Sequence, residues 1–235
     1  MRRRRQFYLA LAILMLAVGG VSGGLLFAAK SAPAFYTAAD RPGDWDTHER
    51  SARLLTRVMD LQHDIRRKEE WGDTFPVEEL NAFFIENLGP GGKFTDALPP
   101  GFHSPRVSIE GDRLFLGVKY REGFWSTVVW LELKVWLVEG QTNLAAVEVC
   151  GLKAGRLPFG SQSLLDKIAD VARDSSIEVT WYRHGSNPVG LFRFFAKQPE
   201  ATSQVLTLEV NDGKMVVAGR TDLARRGGPV TPANP

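Results

Sequence analysis

The chain has 235 residues, 29 Lys+Arg against 27 Asp+Glu, and one cysteine. Five of the basic residues lie within residues 1–34, leaving 24 basic against 27 acidic beyond them, so the outer part gives nucleic acid no electrostatic footprint. A lone Cys150 excludes an internal disulfide, and roughly 200 residues after the N-terminal segment suffice for one packed domain.

Arg2, Arg3, Arg4 and Arg5 precede a run from Phe7 to Ala29 that is 23 residues long and free of charge. As a helix it would measure about 34 Å, enough for a hydrocarbon core of about 30 Å. Phe7, Leu9, Leu11, Ile13, Leu14, Leu16, Val18, Leu25, Leu26 and Phe27 are its membrane-facing candidates. The leading arginines stay cytoplasmic, which predicts a single-pass cell-membrane anchor over 1–30 with the C-terminal domain extracytoplasmic. A cleaved signal is the alternative: Ala32-Pro33-Ala34 has the small-x-small form, although Leu25 to Ala29 continues the apolar run past the glycines. Gly19 and Gly23, and Gly20 and Gly24, have the spacing that lets two membrane helices approach, so a homodimer through them is a candidate.

Residues 31–43 read as a linker, with Phe35 and Tyr36 suited to the headgroup zone. Asp44 to Trp71 reads as an amphipathic helix with Leu54, Val58, Leu61 and Ile65 on one face and a solvated charged surface opposite. Phe75-Pro76-Val77 opens a second helix with proline in its first turn and Glu78 and Glu79 where the dipole favours acids, a stripe of Val77, Leu80, Phe84 and Leu88, and a stop at Gly89-Pro90-Gly91-Gly92. That glycine cluster lacks the residues of a phosphate loop.

From Ser104 to Gly155 the period becomes two. Val107 and Ile109 precede a Gly111-Asp112 turn, and Leu114, Leu116 and Val118 then alternate with polar residues. On the strand pattern from Phe124 to Val138, Trp125, Val129, Leu131, Leu133, Val135 and Leu137 form an apolar face, while Trp130 and Trp136 mix with Glu132 and Lys134 on the other. Fully extended it would reach about 50 Å, so it must bend or carry a bulge. A strongly curved antiparallel sheet packed on amphipathic helices, an α+β domain over 44–223, is the predicted fold. Gln141 to Leu152 adds a strand with Cys150 as a small core residue. A helix follows from Ser163, then a strand at Ile177, Val179 and Trp181, an ambiguous run at Leu191–Phe195, and a hairpin around Asn211-Asp212-Gly213. Residues 224–235 read as a disordered tail.

His48, His63, His103 and His184 lack metal-ligand spacing, no nucleophile elbow is present, and adjacent acids on a helix diverge. A non-catalytic protein without cofactor or metal is the expectation. Leu114, Leu116, Val118, Trp125, Val129, Leu131, Leu133, Val135 and Leu137 are the candidate lining for a lipid or other apolar ligand. An envelope scaffold with a solid core, presenting Trp130, Trp136 or the 44–71 helix to a protein, is the alternative.

The anchor, the helix bearing Glu78-Glu79-Leu80-Asn81-Ala82-Phe83-Phe84, the long strands and Gly155-Arg156-Leu157-Pro158-Phe159 before a further helix make a sequence of pieces over roughly 75–183. In that order they resemble the YpmS-like membrane-anchored proteins and, more distantly, the tubular lipid-binding (TULIP-like) domains. The resemblance implies a helix wrapped by a curved sheet, an apolar ligand groove at the envelope, and no catalytic residues.

Overall fold

The computed structural model describes residues 27–39, 45–89, 91–158, 178–195 and 202–223. Within them the class is α+β, and neither sheet closes on itself. Helices α1 (Ala34–Ala39) and α2 (Trp45–Arg67) are followed by strand β1 (Glu70–Pro76) and helix α3 (Val77–Asn87). Four long strands come next: β2 (Phe102–Glu110), β3 (Arg113–Glu122), β4 (Trp125–Leu137) and β5 (Leu144–Ala154). The short β6 (Leu157–Pro158) precedes β7 (Glu178–His184), β8 (Asn187–Arg193), β9 (Ser203–Asn211) and β10 (Lys214–Thr221). The large sheet has the order β2-β3-β4-β5-β8-β7, with β6 beside β5, and the small one is β1-β10-β9. The helix expected from Ser163, the segment before Phe27 with its glycine pairs, and the 224–235 tail lie outside the described residues. Among those described, no helix is long and apolar enough to cross a membrane.

The alternating stretch folds as its period demands, but the bulge expected of the long strand β4 sits on its neighbour β5. Glu132 pairs with Gly151 and Leu133 with Val149, which leaves Cys150 as the extra residue on β5. Cys150 is therefore half-buried beside Arg113, whose guanidinium donates to its sulfur at 2.6 Å, rather than a plain core residue. The Asn211-Asp212-Gly213 signal is the β9–β10 turn, with Asp212 and Gly213 both at positive φ (50° and 75°) as a tight hairpin needs.

Three sequence readings need correction. Residues 31–43 are not simply a linker, because 34–39 form α1 and Tyr36 is buried with its hydroxyl donating to Ser104 O at 2.5 Å. Trp71 does not end the first helix, which stops at Arg67; Trp71 and Phe75 are buried in β1. The helical stripe is also incomplete, since Leu54 is buried but Val58 is 37% exposed.

The third discrepancy has a visible cause. Helix α2 meets α3 and β1 through ions as well as apolar groups. Arg57 Nε donates to Glu79 Oε2 at 3.0 Å, its Nη1 reaches Asp73 Oδ1 at 2.9 Å, and Arg53 Nε approaches Glu79 Oε1 at 3.5 Å. The hydrogen bond to Asp73 and the nearby Glu79 charge hold the Arg57 pKa above its ordinary value. Glu79 is itself buried, so its arginines are specific partners rather than part of a solvated surface. Glu79→Ala should destabilise the protein by about 1.5 kcal/mol, below the usual figure for a broken buried pair because both arginines remain solvated. Urea titration checks this, and Glu79→Gln should recover part of the loss through its retained acceptor.

Two asparagines hold strand edges. Asn81 of α3 donates to Val107 O at 2.7 Å and accepts from Val107 N at 2.9 Å, covering the free edge of β2. Asn143, buried before β5, donates to Ser203 O at 2.7 Å and accepts from Val205 N at 2.8 Å, fastening β9 to the large sheet.

Candidate functional site

The β3–β4 register sorts the side chains of the large sheet. Leu114 stands opposite Leu133, Leu116 opposite Leu131 and Val118 opposite Val129, so these six share one face. Trp125, Val135 and Leu137 join them by strand alternation, and Val147, Val149 and Leu152 of β5 extend the face. All nine sequence-predicted lining residues thus lie together. Each is half-buried, whereas Val149 and Leu152 are fully covered.

The opposite face is mixed. Arg113, Phe115, Gly117 and Lys119 of β3 stand beside Lys134, Glu132, Trp130 and Val128 of β4. Lys134 Nζ meets Asp112 Oδ2 at 2.8 Å with both groups well exposed, so this end of the mixed face is open to solvent. Strand β9 packs on β4 and touches β2 and β3. Since the mixed face is solvated there, β9 covers the apolar one, at the end where Asn143 grips it.

Helix α1 occupies the centre of the mixed face. Phe35 meets Phe115 at 5.5 Å and Trp130 at 5.8 Å between ring centroids, and Lys153 lies 4.8 Å over the Trp130 ring. Gly117 makes the docking possible, because a Cβ there would sit 2.7 Å from the Tyr36 ring. Phe35 and Tyr36 are consequently sheet-packing residues and not headgroup anchors. Trp130 is engaged on both sides, and its indole N–H donates to Gly155 O at 2.7 Å.

The end of the predicted span is held by the same sheet. Residues 27–30 are helical, and β5 leaves β4 after the Val129–Ala154 pair, which frees the β4 edge beyond it. Ala28 and Ala29 fill that place: Arg156 N donates to Ala28 O at 2.9 Å and Thr127 Oγ1 to Ala29 O at 2.5 Å. Lys30 Nζ lies 5.5 Å over the Trp125 ring, while Phe27 is 72% exposed. No motif marked this contact in the sequence; Gly155 was legible only as a sheet breaker. Its positive φ (60°) and missing Cβ are what admit the two alanine carbonyls.

Among the described residues Cys150 and two of the histidines have the following surroundings. Burial pushes the Cys150 thiol above its ordinary pKa, which disfavours the thiolate a nucleophile needs. His48 is 2.6 Å from Glu86 and His184 is 3.6 Å from Glu148, on separate elements. Among the described residues no group of three His, Cys, Asp or Glu could hold a metal ion. Helix α2, which precedes the 75–183 stretch of the TULIP-like resemblance, packs on α3 and the small sheet. No family model, no curated protein and no solved structure matches the chain.

Proposed function

We propose that the chain is a single-pass membrane protein whose extracytoplasmic domain binds a lipid or another apolar ligand on the sheet face of β3 and β4, without catalysis. The observation that carries this reading is the half-burial of Leu114, Leu116, Val118, Trp125, Val129, Leu131, Leu133, Val135 and Leu137 on one continuous face. Fully burying a side chain of this size contributes about 1.5–3 kcal/mol, so each retains part of that gain for an incoming acyl chain. The attachment of residues 27–30 at the Trp125–Thr127 end supports the reading further, since it sets the apolar face beside the point where the 7–29 run ends.

A second reading, a scaffold with a solid core, is favoured by one observation: β9 already covers part of the face. Photoactivatable phospholipid presented to the full chain in vesicles separates the two. Ligand binding predicts cross-links at Leu116, Val129 and Leu131, and Leu131→Glu should lower them roughly tenfold, the factor that about 1.4 kcal/mol of lost apolar contact corresponds to. Cross-links confined to residues 7–29 would leave the anchor and reject the groove.

A further inference from the structure

The β3–β4 hairpin tip is the most exposed apolar point among the described residues. Pairing runs without interruption to Glu122 opposite Trp125, so only Gly123 and Phe124 make the turn. Gly123 takes positive φ (57°), as a tight turn on a twisted hairpin requires. Phe124 is 96% exposed. A phenylalanine held out on a rigid two-residue turn gains nothing from the fold; a single exposed apolar residue is ordinary in itself, so its meaning lies in what surrounds it.

Three features say which phase. Trp125, next in sequence, is stacked by Lys30, and Ala29 and Ala28 are hydrogen-bonded to Thr127 and Arg156. The chain N-terminal to exposed Phe27 therefore leaves the domain at the hairpin-tip end of the sheet. Lys30, Arg121 and Arg156 are exposed around that end, and the carboxylate of Glu122 beside them accepts from Tyr120 at 2.6 Å. An aromatic tip within a basic rim is the composition that sits at the headgroup level of an anionic membrane.

We propose that Phe124 inserts into the outer surface of the membrane that holds the 7–29 span, with Lys30, Arg121 and Arg156 against anionic headgroups. This makes a second, interfacial foot for the domain beside its anchor. The proposal rests on the anchor reading above, and its test separates the two. Single cysteines in a Cys150→Ala background, at Ala17→Cys, Phe124→Cys and Gln141→Cys, carry an environment-sensitive fluorophore in the full chain. The chain is reconstituted in phosphatidylcholine and phosphatidylglycerol vesicles containing nitroxide-labelled lipid. Gln141 is exposed at the far end of β4, about 40 Å along the strand from the tip, and reports water throughout.

Position 124 should lose at least half its emission to nitroxides near the headgroup, position 17 to nitroxides deep in the chains, and position 141 to neither. Quenching at 17 with position 124 as dark to lipid as 141 overturns the foot and leaves the anchor. Quenching at 124 alone supports the foot and rejects the anchor. Quenching at neither rejects both.

Discussion

Asn143→Ala should lower stability by about 3 kcal/mol, more than any other single truncation of a polar side chain considered for this fold. The side chain satisfies two backbone groups of β9 at once, the Ser203 carbonyl at 2.7 Å and the Val205 amide at 2.8 Å. Asn143 and Ser203 are both buried, so water reaches the vacated groups poorly. Each unsatisfied buried group costs about 1–3 kcal/mol. The backbone adds to this, because Asn143 has φ 58° and alanine tolerates the left-handed region less well than asparagine. For a domain of this size the melting temperature should fall by about 6–12 °C. Asn143→Gly removes the same hydrogen bonds but relieves the backbone, so it should be the milder of the two. Thermal and urea unfolding of both variants check the prediction. A loss below about 0.5 kcal/mol for Asn143→Ala, the range of an ordinary surface substitution, would show that β9 is held by its apolar contacts alone.

Why Asn143 escapes a sequence reading is instructive. A lone asparagine between two strands is the commonest kind of turn residue, and nothing local distinguishes one that points outward from one that reaches a strand 60 residues on. Asn81 is hidden in the same way inside a helical pattern, though it covers Val107 from 26 positions away. Strands β2 to β5 were legible because their alternation is local, whereas the bulge that the length of β4 called for fell on β5, where no local signal marked it. Strand β1 was not. Trp71 and Phe75 stand four apart, a spacing that fits a helix as well as it fits one side of a strand, and only pairing with β10 decides it. The apolar face was legible residue by residue, whereas its neighbours were not. Helix α1 depends on the gap at Gly117, and the contact of residues 27–30 depends on the gap at Gly155. A missing side chain has meaning only against whatever fills its place.

Gly155 is the position where that missing side chain has the largest consequence for how residues 27–30 are held. Gly155→Ala should detach residues 27–30 from the sheet. Glycine here has φ 60°, a conformation costing alanine roughly 1–2 kcal/mol, and the added Cβ would overlap the carbonyl oxygens of Ala28 and Ala29. Backbone oxygens in a helical turn cannot swing aside as a flexible side chain would, so the contact must open. The bonds from Arg156 N and Thr127 Oγ1 go with it, and so does the stacking of Lys30 on Trp125. Trypsin then reports the change directly: cleavage after Lys30 should accelerate at least about tenfold as the bond leaves a held segment for an open one. Gly140→Ala is the matched control, with φ 71° and nothing near its added Cβ, so it carries the backbone strain without the overlap. Equal cleavage rates in the two variants would mean that residues 27–30 are not held by the sheet. A fast Gly155→Ala beside a slow Gly140→Ala would mean that the sheet grips residues 27–30 through the place that the missing Gly155 side chain leaves open.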